Sequence, residues 1–225
     1  LGGETFQLSF DPSTDLAFTS ASGAVVSQGT PATGGLVTVG GGFSISTGPN
    51  NPSGGLVNQA LQNLAVMQLN LEAVNELCTV EQLTFRATGS IHDRFDISGV
   101  RLVHDVDENG VFSGPDVLVA GPTNFPEDDA EITFSSVTRS LSPNVQERWL
   151  LVYDLSGTAS NLESFSARLE APSQVQVRCQ VSGPVTPAGS PVQGGQFTVQ
   201  EDGALVIRMG DQNPDRKSTR LNSSH

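Results

Sequence analysis

Trp149-Leu150-Leu151-Val152-Tyr153-Asp154 decides the fold class. With a period of two, Trp149, Leu151 and Tyr153 point one way and Leu150, Val152 and Asp154 the other. Both rows are apolar up to the last residue, so the segment reads as a strand buried on two sides. It holds the chain's one tryptophan and one tyrosine, which assigns both to the core rather than to a binding face. Outward from it the same alternation recurs. Ala65, Met67, Leu69 and Leu71 alternate with Val66, Gln68, Asn70 and Glu72, and Leu83, Phe85 and Ala87 with Thr84 and Arg86. Ile132 and Phe134 flank Thr133, and the sets Phe165, Ala167, Leu169 and Val175, Val177, Cys179 continue the pattern. Turn residues fall between these runs at Asn109-Gly110, Gly121-Pro122 and Ser142-Pro143-Asn144. Only the short stretch Val57–Leu64 would pass for a helix. The pattern predicts an all-β protein: an antiparallel β-sandwich of immunoglobulin-like type, with a jelly roll as the alternative, because periodicity does not fix strand order.

Composition agrees. Among 225 residues there are 24 glycines and 13 prolines, with 36% hydrophobic and 6% aromatic residues, as in a turn-rich protein whose core is thinly spread. A net charge of −13 argues against nucleic acid or an anionic membrane surface as partner. No apolar run approaches the roughly 20 residues of a membrane-spanning helix, so no membrane insertion is expected. The chain opens on Leu1 with no basic-then-apolar signal segment, which reads as a cut.

The chain also repeats itself. Gly29-Thr30-Pro31-Ala32-Thr33-Gly34-Gly35-Leu36-Val37-Thr38-Val39 aligns with Gly189-Ser190-Pro191-Val192-Gln193-Gly194-Gly195-Gln196-Phe197-Thr198-Val199 at an offset of 160, with six of eleven positions identical. Ser22-Gly23 matches Ser182-Gly183 at the same offset, and Glu4-Thr5-Phe6 resembles Glu163-Ser164-Phe165 at 159. Downstream, Ile45–Pro52 resembles Ile207–Pro214. Colinear matches of this kind predict a piece of a tandem array. Residues 1–48 are then the end of one repeat, 49–55 a linker rich in structure-breaking residues, 56–210 a complete repeat and 211–214 the start of a third. The last eleven residues, Asp215–His225, hold the chain's single lysine, Lys217, and resemble the in-frame translation of a sequencing adapter, a non-native tail.

One stretch carries chemistry. Asp105-Val106-Asp107-Glu108-Asn109-Gly110-Val111-Phe112-Ser113-Gly114-Pro115-Asp116 fits a twelve-residue calcium loop. Asp105, Asp107 and Asn109 supply oxygens at positions 1, 3 and 5, and Gly110 allows the sharp turn at position 6. Val111 offers its carbonyl at position 7, Ser113 a hydroxyl or water at position 9, and Asp116 closes the loop at position 12. A hard cation of this size needs six to eight oxygens converging at about 2.3–2.6 Å, which alternate residues on a tight loop provide. The closing residue is Asp rather than Glu, and the flanks Val100–Val103 and Val117–Val119 read as strands rather than helices. The competing reading is a hairpin turning at Asn109-Gly110 with solvated acids. Glu127, Asp128, Asp129 and Glu131 read as a solvated acidic loop, with a second cation patch as the alternative.

Other chemistry finds little support. Cys78 and Cys179, the only cysteines, form one disulfide across the repeat or remain two buried thiols. Neither a His-Glu-x-x-His helix, a Cys-x-x-Cys pair, a Gly-x-Ser-x-Gly elbow nor a phosphate-binding loop is present, and nothing orders His92, Asp93, Asp96 and a serine as a triad. Aromatic platforms beside the acids are likewise missing, as sugar cleavage would want them.

Taken in order, Leu64–Ala73, Gln82–Ser90, Asp96–Leu102 with its Asp-rich loop, Leu150–Ala159 and the closing Gly-x-Pro-x-x-Gly-Gly-x-x-Thr-Val motif resemble the tandem immunoglobulin-like modules of large bacterial secreted or surface proteins. The loop itself is similar to dockerin-like calcium loops. The resemblance implies a non-enzymatic, calcium-rigidified module outside the cell, a stalk or adhesin-like spacer. Its partners would be neighbouring repeats and, at most, a surface ligand or glycan. The alternative is a ligand- or carbohydrate-binding accessory module of a secreted hydrolase.

Overall fold

The computed structural model describes residues 5–12, 14–15, 29–38, 40–189 and 191–201. Four two-residue strands come first: β1 (Thr5–Phe6), β2 (Ser9–Phe10), β3 (Ala32–Thr33) and β4 (Val37–Thr38). The first half of the main body comprises β5 (Gly42–Thr47), β6 (Gly54–Asn58), β7 (Leu64–Val74), β8 (Cys78–Gly89), a single helical turn α1 (Asp93–Asp96), β9 (Ile97–His104) and β10 (Val117–Thr123). The second half comprises β11 (Glu131–Phe134), β12 (Arg139–Leu141), β13 (Gln146–Leu155), β14 (Ser164–Leu169), β15 (Val175–Cys179), β16 (Gly183–Val185), β17 (Ala188–Gly189), β18 (Val192–Gln193) and β19 (Gln196–Gln200).

Strands β5 to β19 form a β-sandwich of mainly antiparallel sheets. One sheet runs β10-β9-β13-β7-β5-β17; the other runs β16-β15-β8-β14-β19-β6, with β11 and β12 on the far side of β8 and β18 beside β14. The core between them holds Trp149, Tyr153, Phe43, Phe85, Phe165, Leu69 and Leu83, all buried. Trp149, Leu151 and Tyr153 face this core, while Leu150 and Val152 face outward and are nonetheless buried. The strand that decides the fold class is thus covered on both sides.

Two departures from simple alternation have local causes. Between the pairs Met67↔Leu151 and Ala65↔Val152 one extra residue, Val66, is inserted into β7. This bulge turns Ala65 out to join Val103, Leu150 and Val152 on the outer face, and sends Val66 into the main core. The Val66 carbonyl accepts a hydrogen bond from Gly195 N at 2.9 Å, and a side chain at Gly194 would strike that carbonyl, so the Gly-Gly of the repeated motif is a close-approach site. Val57–Leu64 forms no helix: Val57 pairs with Val199, and Ala60 and Asn63 take left-handed backbone angles of 55° and 64°. Gly121-Pro122 is likewise no turn but an irregular part of β10.

The boundary drawn at residue 48 does not coincide with an edge of the sandwich. β5 pairs antiparallel with β7 from Gly42↔Val74 to Thr47↔Leu69 and buries Phe43 and Ile45. Residues 49–55, read from the sequence as a linker, hold most of the crossover from one sheet to the other (48–53) and the first two residues of β6. β6 then runs parallel to β19, from Gly54↔Gln196 to Asn58↔Gln200. The body therefore extends over 42–200, with β6 lying beside the last strand, β19. The chain comes in at the pole of the 75–77 turn and leaves at the opposite pole, where Gln200 accepts a hydrogen bond from Gln59 N. β8, which spans the sandwich between those poles, has 12 residues, a length of about 40 Å.

The short N-terminal strands copy pairings of the main body register for register. Thr5↔Thr38 and Phe6↔Val37 correspond, at the sequence offsets of 159 and 160, to Ser164↔Thr198 and Phe165↔Phe197. Ser9↔Thr33 and Phe10↔Ala32 correspond to Arg168↔Gln193 and Leu169↔Val192. Gly34 N donates to Leu8 O as Gly194 N donates to Ala167 O, both at 2.8 Å. The segments 211–214 and 215–225 lie outside the described residues.

Candidate metal centre

β9 ends at His104, and Asp105 N still continues the ladder by donating to Arg148 O at 2.8 Å. From there the chain turns back over the outer face of the sheet instead of forming a tight hairpin. Three devices make it turn. Glu108 and Gly110 take positive φ angles of 58° and 79°. A side chain at Gly110 would also collide with the Asn50 carbonyl. The Asp105 carboxylate, fully buried, accepts bonds from Asn109 N at 3.1 Å, Gly110 N at 2.9 Å and Gln68 Nε2 at 2.6 Å.

The remaining acids close on the same point. Asp107 Oδ2 accepts from Asn109 Nδ2 at 2.9 Å and Ser113 Oγ at 3.0 Å. Asp116 accepts from Val106 N at 3.0 Å and Ser113 N at 2.7 Å. One oxygen each from Asp105, Asp107 and Asp116 lies within 4.8 Å of the others. At such separations each like-charge pair costs about 1–4 kcal/mol, depending on how far water screens it. A cation among them converts that repulsion into attraction. Of the other residues picked out by spacing, Ser113 bridges Asp107 and Asp116. The Asn109 side-chain oxygen is engaged by Val111 N at 2.7 Å, and Val111 points its side chain to solvent.

Sequence spacing missed the residues that hold the loop down. Gln68, buried in β7, donates to Asp105 and accepts from Asn50 N at 2.8 Å, while its own amide donates to Asn51 Oδ1 at 2.8 Å. Asn50 Nδ2 donates to Glu108 O at 2.7 Å, and Arg148 pairs with Glu108 at 3.2 Å. Phe112 packs over the outer cluster of Ala65, Val103, Leu150 and Val152, with the Arg101 guanidinium 5.5 Å from its ring centre. Gln68 shares its row with Asn70 and Glu72, so its burial had no signal in the alternation. Nothing local marks Asn50 as its partner 18 residues away.

The second acidic run behaves differently. Asp93, in α1, is 1% exposed, and its carboxylate accepts from Asp129 N at 2.8 Å, while Asp128 accepts from Asp93 N at 3.2 Å. Burial pushes the Asp93 carboxyl up to about 6, and the charges of Asp128 and Asp129 add to the rise against the Asp129 amide bond. The buried Tyr153 hydroxyl is raised too, by burial and by Asp93. Among the described residues only the Asp105 group converges as a cation site. Cys78 and Cys179, register partners on β8 and β15, are joined in a disulfide. No helix among the described residues is long and apolar enough to cross a membrane.

Comparison with known proteins adds little. No family model and no curated protein matches the chain. Nine chains of solved structures match. One, a family 123 glycoside hydrolase from Clostridium perfringens, aligns over 71% of this chain and 27% of its own length, with 9% identity and a TM-score of 0.29. A likeness that small carries no argument about activity.

Proposed function

We propose that this chain is a calcium-stabilised repeat module of a bacterial extracellular or cell-surface protein, serving as a stalk or adhesin-like spacer and not as an enzyme. The convergence of Asp105, Asp107 and Asp116 on one point, on a loop that folds over the sheet, carries the reading. Calcium fits this donor set: all-oxygen, carboxylate-rich and built on a flexible loop. Bound there, it cancels the repulsion and holds Phe112 down on Val103, Leu150 and Val152. The copied strand registers support a tandem arrangement, and the opposite poles of entrance and exit support an extended one. The disulfide is compatible with an oxidising compartment.

Thermal melts of the full chain test this. With a dissociation constant of about 0.1–1 mM, as in extracellular modules, about 10 mM calcium adds about 1.5–3 kcal/mol over chelator. That corresponds to a rise of about 3–12 °C for a protein of this size. Identical melts with calcium and with chelator would count against it. One feature favours the carbohydrate-binding alternative: an open groove of about 380 Å³ beside the loop, lined by the exposed apolar side chains of Leu61 and Val111 together with Asn50, Gln62, Asn63 and Asn109. Retardation of the chain in gels containing soluble polysaccharides is the measurement that would favour it.

A further inference from the structure

Glu76 takes no part in the ion site, yet it is the most heavily bonded carboxylate at the pole where the chain comes in. It lies in the turn between β7 and β8 and is 4% exposed. Its oxygens accept from the amides of Gly41 at 3.0 Å, of Ser182 at 3.2 Å and of Val181. Gly41 N is shared with Ser182 Oγ at 3.0 Å. Among the described residues no cation pairs with Glu76: main-chain donors and the Ser182 hydroxyl hold the charge. Burial pushes its carboxyl up, but the bonds from Ser182, Val181 and Gly41 outweigh burial and keep it below the usual carboxylate range. The two turns it joins are already tied by the adjacent Cys78–Cys179 bridge and by Gln180 N donating to Leu77 O at 2.9 Å. A side chain at Gly41 would collide with the carboxylate.

The position of Gly41 gives this cluster a purpose. β4 ends at residue 38 and β5 begins at 42, leaving three residues between them. The register of β4 with β1 equals that of β19 with β14 in the main body, so β4 corresponds to the last strand of a module. Gly40-Gly41-Gly42 alone would be a free hinge.

We propose that Glu76 is a junction clamp: it fixes the direction in which the chain passes from the preceding module, so that consecutive modules form a stiff end-to-end pair. This rests on the tandem-module reading above.

Hydrogen exchange on the full chain, resolved by residue, tests it. In the native sequence the Gly41 amide is expected to exchange about 100-fold or more slower than in an unstructured chain. Glu76→Ala should bring Gly41, Val181 and Ser182 close to unstructured rates, leave the amides of β7 and β13 unchanged, and open residues 39–42 to subtilisin. Should that variant fail to fold, Glu76→Gln, which removes one acceptor oxygen, should lose protection at Gly41 or at Val181 and keep the other. Unprotected Gly41 in the native chain, or protection indifferent to both substitutions, overturns the clamp. Gly41 protection should be equal in calcium and in chelator, so a failed ion site leaves this result untouched. Absence of backbone contacts between residues 5–6 and 37–38 overturns the junction through the tandem reading, even where Gly41 stays protected.

Discussion

Two acid-rich loops sit in this chain, and only one gathers its acids. In the loop after β9, Asp105, Asp107 and Asp116 present oxygens to one point while amides and Ser113 brace them from outside. In the run around Asp128 and Asp129 the carboxylates diverge, and the buried member, Asp93, meets its fixed charges by rising toward neutrality. Charge density alone is therefore not what brings carboxylates to one point. Both loops contain a left-handed residue and a buried carboxylate; what separates them is that Asp105 gathers two successive amides of its own loop, Asn109 and Gly110, whereas Asp93 takes a single amide, that of Asp129, from a distant segment.

Substitutions can break that contrast. The largest effect is expected from Asp105→Ala, which strands the donors of Asn109, Gly110 and Gln68. It should cost about 3 kcal/mol or more, roughly 6–12 °C, and abolish the calcium increment in a melt. Asp93→Asn should act oppositely and through pH. The Asp93 carboxyl rises from 3.8 to about 6 on folding, so the native state keeps a proton that the unfolded chain has released. Stability from this group is present below pH 4 and is lost as pH rises through about 6. The variant should match the parent at pH 4 and exceed it by up to about 3 kcal/mol at pH 8 in chemical denaturation. Phe112→Ala should cost about 1–2 kcal/mol in calcium and less in chelator, where the loop no longer holds the ring in place. Smallest is Asp128→Ala: about 0.5 kcal/mol or less, with the calcium increment unchanged. An increment lost in that variant would erase the distinction between the loops.

Much of this was legible in the sequence, for physical reasons. Period-two alternation reports burial directly, so Trp149–Tyr153, Leu83–Ala87 and Phe165–Leu169 read as strands and are strands. The loop was legible because ligand spacing is local. The bulge at Val66 was not, since it depends on what Gly195 offers from across the sandwich. Gln68 and Asn50 escaped because their roles arise only when the crossover lands on the loop. The place of β5 was not legible either: the repeated turn motif is a local similarity, whereas β5 joins the sandwich only through its pairing with β7.

Calorimetric titration of calcium into the full chain bears most directly on the central claim. One saturable site of about 0.1–1 mM is expected, absent from Asp105→Ala and Asp107→Ala. No saturable heat up to about 10 mM calcium, or binding that survives both substitutions, would contradict it.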